Sequence, residues 1–171
     1  MPQLTSPRAR TASRDPCWPV GDDGAAKRPW SKADGQATMA EMTSRVTEII
    51  IDSHDPLTLA EWWAEVLDYQ AAAPAPGGWV GISPRGTGDE HPSDEAYRAG
   101  AQVPTIVFVP VSEAKTVKNR THLDIWSIDR TQEDEVAWLL EQGARRVDIG
   151  QGEVSWEVMA DPEGNEFCVL R

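Results

Sequence analysis

The strongest constraint in this sequence is a strand-to-helix junction that occurs twice. Arg45-Val-Thr-Glu-Ile-Ile-Ile-Asp52 is β-branched and stops at Ser53-His54-Asp55-Pro56. It reads as a strand delivering Asp55 as a helix N-cap, with proline at the first helical position. Leu59, Trp62, Trp63, Val66 and Leu67 then recur at helical spacing, which predicts an amphipathic helix ending near Asp68-Tyr69. The pattern restarts at the strand Thr121–Ile128, where Asp129-Arg130-Thr131 opens a second helix. Val136, Leu139 and Leu140 mark its inner face and Gly143 its stop. Aligning Asp55 with Asp129 superimposes the junctions and sets Glu48 on His122, each seven residues before its aspartate.

Strands are expected at Gly78–Ser83 and Val103–Val111 in the first half, with Pro84–Gln102 between them as a long polar loop. In the second half they are expected at Arg145–Ile149, Ser155–Ala160 and Glu166–Leu170, the last two joined by a tight turn at Asp161-Pro-Glu-Gly164. Each half is therefore strand, helix, then two or three strands. The fold class is α+β, with two paired βαβββ modules, about 45–111 and 121–171, in a curled mixed sheet around a cavity. Residues 1–44 carry five prolines and no apolar period, and read as a disordered extension. The alternative is a translation start at Met39 or Met42.

Charge sharpens the division. Six basic and five acidic residues fall in the first 44, which leaves ten and 23 for residues 45–171. A net charge of −12 over the chain repels polyphosphate and argues against a nucleic-acid partner. The longest aliphatic run is Ile49-Ile50-Ile51, far short of the ~20 residues of a membrane span. Two cysteines, Cys17 and Cys168, build neither a disulfide framework nor a zinc knuckle, which fits a reducing cytoplasm.

Three stretches together resemble a family. They are Asp52-Ser-His-Asp-Pro56 with Ala60-Glu-Trp-Trp-Ala-Glu-Val-Leu67, Lys115-Thr-Val-Lys-Asn-Arg-Thr-His-Leu-Asp124, and Asp161-Pro-Glu-Gly-Asn-Glu-Phe167. They are similar to the glyoxalase-like branch of the vicinal oxygen chelate superfamily, which includes glyoxalase I, extradiol dioxygenases, fosfomycin-resistance transferases and bleomycin-binding proteins. The resemblance covers residues 45–171 and implies paired modules around a cavity, a small-molecule ligand and either a homodimer or a paired-module monomer. It also implies metal ligands on the first and last strands of each module. His122 and Glu166 match two such positions and Glu48 occupies a third. The fourth falls within Thr105–Val109, which holds no Glu, His or Gln. One divalent metal on Glu48, His122 and Glu166 is thus a candidate with a ligand missing.

Fold alone does not select the chemistry. The first reading is a glyoxalase-like lyase or isomerase centred on Glu48, His122 and Glu166. A pair of His122 with Glu166 or Asp124 would serve as a metal-independent general base. The second is a non-catalytic protein that sequesters a cationic or aromatic small molecule, in the manner of bleomycin-resistance proteins. The third is a degenerate interaction domain. Strand alternation puts His122, Asp124 and Trp126 on one face, and Glu166 with Cys168 on one face of the last strand. Asp124 is a candidate substrate contact, and Trp79, Trp126 and Trp156 are candidate aromatic walls of the same site, with core packing as the alternative. Lys118 and Arg120, with Lys115, are candidate anion contacts or a solvated loop. Cys168 has no base beside it in sequence and reads as a small buried hydrophobe. His54 and His91 read as incidental.

Overall fold

The computed structural model describes residues 44–87 and 92–171. The expectation for the extension therefore lies outside the described residues, apart from Ser44, as does His91. In chain order the elements are β1 (Glu48–Ser53), α1 (Pro56–Leu67), β2 (Tyr69–Ala71), β3 (Val80–Pro84), α2 (Asp94–Ala99) and β4 (Thr105–Pro110). They continue with β5 (Asp124–Trp126), α3 (Gln132–Glu141), β6 (Arg145–Arg146), β7 (Glu157–Ala160) and β8 (Glu166–Leu170). Two four-stranded mixed sheets result, ordered β1-β4-β3-β2 and β5-β8-β7-β6. In each, the module's first strand runs parallel to its last and the other pairings are antiparallel. This is the paired-module α+β architecture.

Both long helices begin where their caps dictate. Asp55 accepts from the Thr58 backbone N–H at 3.2 Å and from its hydroxyl at 2.7 Å, and Pro56 follows it. The second cap is Thr131, whose hydroxyl accepts from Asp134 N–H at 3.2 Å, and not Asp129. Gly143, at φ 95°, ends α3 in the left-handed region that suits glycine. α3 buries Glu135, Val136 and Leu139, while Leu140, expected on the inner face, is 42% exposed. The stretch expected as a polar loop contains α2, capped by Ser93 and burying none of its residues. A helix without an apolar face leaves no hydrophobic period to read.

One core joins the modules. Leu59, Trp63, Ile82 and Phe108 from the first pack with Val136, Leu139, Met159, Phe167 and Val169 from the second. At its centre Trp63 meets Phe167 edge to face, with ring centroids 5.1 Å apart. The Asp161–Gly164 turn locks this contact. The backbone N–H of Gly164 donates to the Asp161 carbonyl at 3.0 Å, and Gly164 itself sits at φ 96°. Glu163 at the tip reaches the β1–α1 junction, accepting from the Ser53 hydroxyl and from the backbone N–H groups of His54 and Asp55 at 2.8–2.9 Å. Beneath it the fully buried Asp161 carboxylate accepts from the Trp63 indole N–H at 3.1 Å.

Candidate functional site

The Asp161–Gly164 turn brings β8 and the 111–123 connection against β1, and a cavity of about 520 Å³ opens there. Ile49, Ile51, Trp63 and Phe167 supply its apolar wall, while Lys115, Asn119, Arg120, His122 and Glu166 supply polar groups. Apolar walls with a few convergent polar groups are the usual form of a small-molecule site. No described helix is long and apolar enough to cross a membrane.

Glu166 is nearly buried, and each of its carboxylate oxygens accepts a hydrogen bond. Lys115 Nζ donates to Oε1 and the Asn119 backbone N–H donates to Oε2, each at 2.9 Å. Burial pushes its pKa up, but the Asn119 and Lys115 hydrogen bonds outweigh that and hold it below the ordinary carboxylate value. Asn119 also donates through its side chain to Asn165, which in turn donates to Asp161. The cavity floor is thereby tied to the Trp63–Asp161 contact. For Asp161, burial raises the pKa against the opposing pull of hydrogen bonds from Asn165, Trp63 and Glu163.

His122 stands beside Glu166 on the cavity wall but turns to other partners. Its Nδ1 lies 3.1 Å from Asp124 Oδ1 and 3.8 Å from Cys168 Sγ. Because a carboxylate only accepts, the Asp124 contact sets Nδ1 as the protonated nitrogen. The other nitrogen, Nε2, has no partner among the described residues. The placement of Cys168 follows from register, since Asp124 and Cys168 are partners across β5 and β8.

The remaining expected residues are scattered. Glu48 begins β1, is exposed, and does not line the cavity. Trp79 and Trp126 are each 45% exposed, and neither they nor the half-buried Trp156 line it. Its indole is that of Trp63, a residue that periodicity assigns to the core. Arg120 lines the cavity, whereas Lys118 does not, and Lys118 Nζ donates to the adjacent Asn119 carbonyl at 3.2 Å. Lys115 is the cation that engages the site. Asn119 carried no separate signal, because a backbone donor is invisible in a sequence.

Glu48, His122 and Glu166, the ligands that the resemblance implies, do not form a convergent group among the described residues. Thr105–Val109 supplies no ligand, Glu48 does not line the cavity, and each Glu166 oxygen already accepts a hydrogen bond. Among the described residues, the group of His, Cys, Asp or Glu whose ligand atoms converge is His122, Asp124 and Cys168, all within 4.8 Å of one another. Cys168 is buried, as its reading as a small buried hydrophobe expects, and tertiary structure in addition sets its Sγ 3.8 Å from the His122 imidazole.

The fold defines a paired-module α+β protein with a cavity between its modules, and the family comparison narrows this. The family model described as a glyoxalase-like domain matches residues 48–170. The chain belongs to that glyoxalase-like family. No curated protein matches it. A glyoxalase/bleomycin resistance protein/dioxygenase family enzyme from Burkholderia phytofirmans is similar at 16% identity, covering 74% of this chain and 97% of its own, with a TM-score of 0.49. A superfamily member from Sphaerobacter thermophilus has 15% identity, coverage of 74% and 96%, and a TM-score of 0.47. A protein from Agrobacterium tumefaciens has 10% identity, coverage of 75% and 97%, and a TM-score of 0.49.

Proposed function

We propose that the chain is a glyoxalase-like lyase or isomerase that removes a proton next to a carbonyl of a small substrate without using the family metal. The observation that carries this reading is the 3.1 Å contact of His122 Nδ1 with Asp124 at the wall of the cavity. An imidazole whose Nδ1–H is held by a carboxylate is oriented with its Nε2 lone pair free to accept a proton. Trp63, Phe167 and Ile51 would hold the apolar body of the substrate. Arg120 would meet a carboxylate or the developing enolate oxygen. Glu166, Lys115 and Asn119 support the wall and are positioning residues in this reading. Residues 45–171 are the proposed folded unit, acting in the cytoplasm as a homodimer.

A second reading, sequestration of a small molecule without chemistry, is favoured by the engagement of both Glu166 oxygens with Lys115 and Asn119. One experiment separates the two. Small 2-oxo acids and α-hydroxy ketones are incubated with the protein in D2O and the loss of the α-proton signal is followed by NMR. The base reading expects exchange above buffer for some member, reduced at least ~100-fold in His122→Gln. Binding detected by thermal shift, with no exchange for any compound, refutes the enzyme and leaves the binder.

A further inference from the structure

Asp124, expected as a substrate contact, and Cys168 do not line the cavity, yet the sheet register sets them side by side. They are partners across the parallel β5–β8 ladder, and the Cys168 N–H donates to the Leu123 carbonyl at 2.9 Å. His122, two residues before Asp124, projects to the same face. Backbone pairing therefore aligns a thiol, a carboxylate and an imidazole before any ligand arrives. In a tetrahedral zinc site with ordinary bond lengths, nitrogen and oxygen ligands lie about 3.3 Å apart and nitrogen and sulfur about 3.6 Å. The corresponding distances here are 3.1 and 3.8 Å, and the third pair also lies within 4.8 Å.

We infer that His122 Nδ1, Asp124 and Cys168 form a binding site for one thiophilic divalent cation of the zinc class, displaced from the position the family uses. The ligand set selects the metal. One sulfur, one nitrogen and one carboxylate suit zinc or cobalt, whereas magnesium and calcium require oxygen ligands. On binding, the Cys168 thiol proton passes to solvent and the thiolate and carboxylate together balance the cation charge. The imidazole then carries its hydrogen on Nε2, which frees Nδ1 to coordinate. Three protein ligands leave a fourth tetrahedral position for water. The inference does not depend on the proposed reaction, but it bears on it. A cation on Nδ1 removes the Asp124 hydrogen bond and the Nε2 lone pair, so the loaded protein and the base-competent protein are alternative states. The −12 charge of the chain raises the local concentration of cations.

The test uses the full chain in a Cys17→Ser background, so that Cys168 is the sole thiol. Titration with Co2+ alone should show one equivalent bound and a sulfur-to-cobalt charge-transfer band, with Zn2+ displacing the cobalt. Cys168→Ser should abolish the band, and His122→Gln or Asp124→Asn should weaken binding at least tenfold. Glu48→Gln and Glu166→Gln should leave the affinity within twofold. If Cys168→Ser does not fold, Asp124→Asn at its more exposed position decides the matter. Absence of the band at saturating cobalt overturns the inference. So does a band that survives loss of Asp124 or His122, or binding that depends on Glu166 and not on Asp124.

Discussion

Replacing Asp161 by alanine should cost this protein much of its stability, and the structure indicates why. The carboxylate is fully buried and accepts five hydrogen bonds: two from backbone, those of Glu163 and Asn165, two from the Asn165 amide and one from the Trp63 indole. Truncation orphans the Glu163, Asn165 and Trp63 N–H donors. A buried unsatisfied donor costs about 1–3 kcal/mol, and penalties in one network add incompletely. Loss of the raised cost of ionising a buried Asp161 offsets a little of this. The expected net loss is about 3–5 kcal/mol, against a usual domain stability of about 5–15 kcal/mol. Urea denaturation followed by far-UV circular dichroism measures it by linear extrapolation. A companion cycle with Trp63→Phe isolates the indole bond and should return a coupling of about 0.5–3 kcal/mol. A loss below about 1 kcal/mol for Asp161→Ala with an unchanged m-value would refute the claim that this turn fastens the modules.

Glu166 makes a separate prediction with a defined sign. Its folded pKa is depressed from 4.5, so its contribution is present above that value and is lost as the pH falls through the lower folded pKa. The stability difference between the native chain and Glu166→Gln should be flat above pH ~5 and shrink below it; a difference that grows on acidification contradicts the Lys115–Asn119 account. Gly164→Ala should destabilise by about 1–2 kcal/mol from the positive φ alone, and further because its new Cβ would lie 2.9 Å from Arg145 Nη2. Adding Arg145→Ala should recover only the steric part in thermal unfolding.

How much of this could be read without coordinates depends on the range of the interaction concerned. The start of α1 was legible because Asp55, Pro56 and Thr58 are neighbours in sequence, and β8 was legible because the apolar run Phe167–Leu170 follows directly on the Asp161–Gly164 turn. The short helix α2 was missed although Ser93, Asp94 and Glu95 signal a start, since nothing apolar follows at helical spacing. Trp63 was assigned to the core from its period, but the same side chain also walls the cavity, and periodicity cannot say what lies beyond a buried ring.

Local chemistry along the chain thus determined the two junctions, the strand faces and the half-to-half repeat, because caps, turns and side-chain alternation act over a few residues. Only the tertiary structure decided that Lys115 and Asn119 occupy Glu166, that Asp124 and Cys168 flank His122, and that Glu163 crosses to the β1–α1 junction. Those contacts join residues up to 110 positions apart. They exist because parallel strand pairing and one shared core bring the segments together, and no short-range pattern encodes which donor reaches which oxygen.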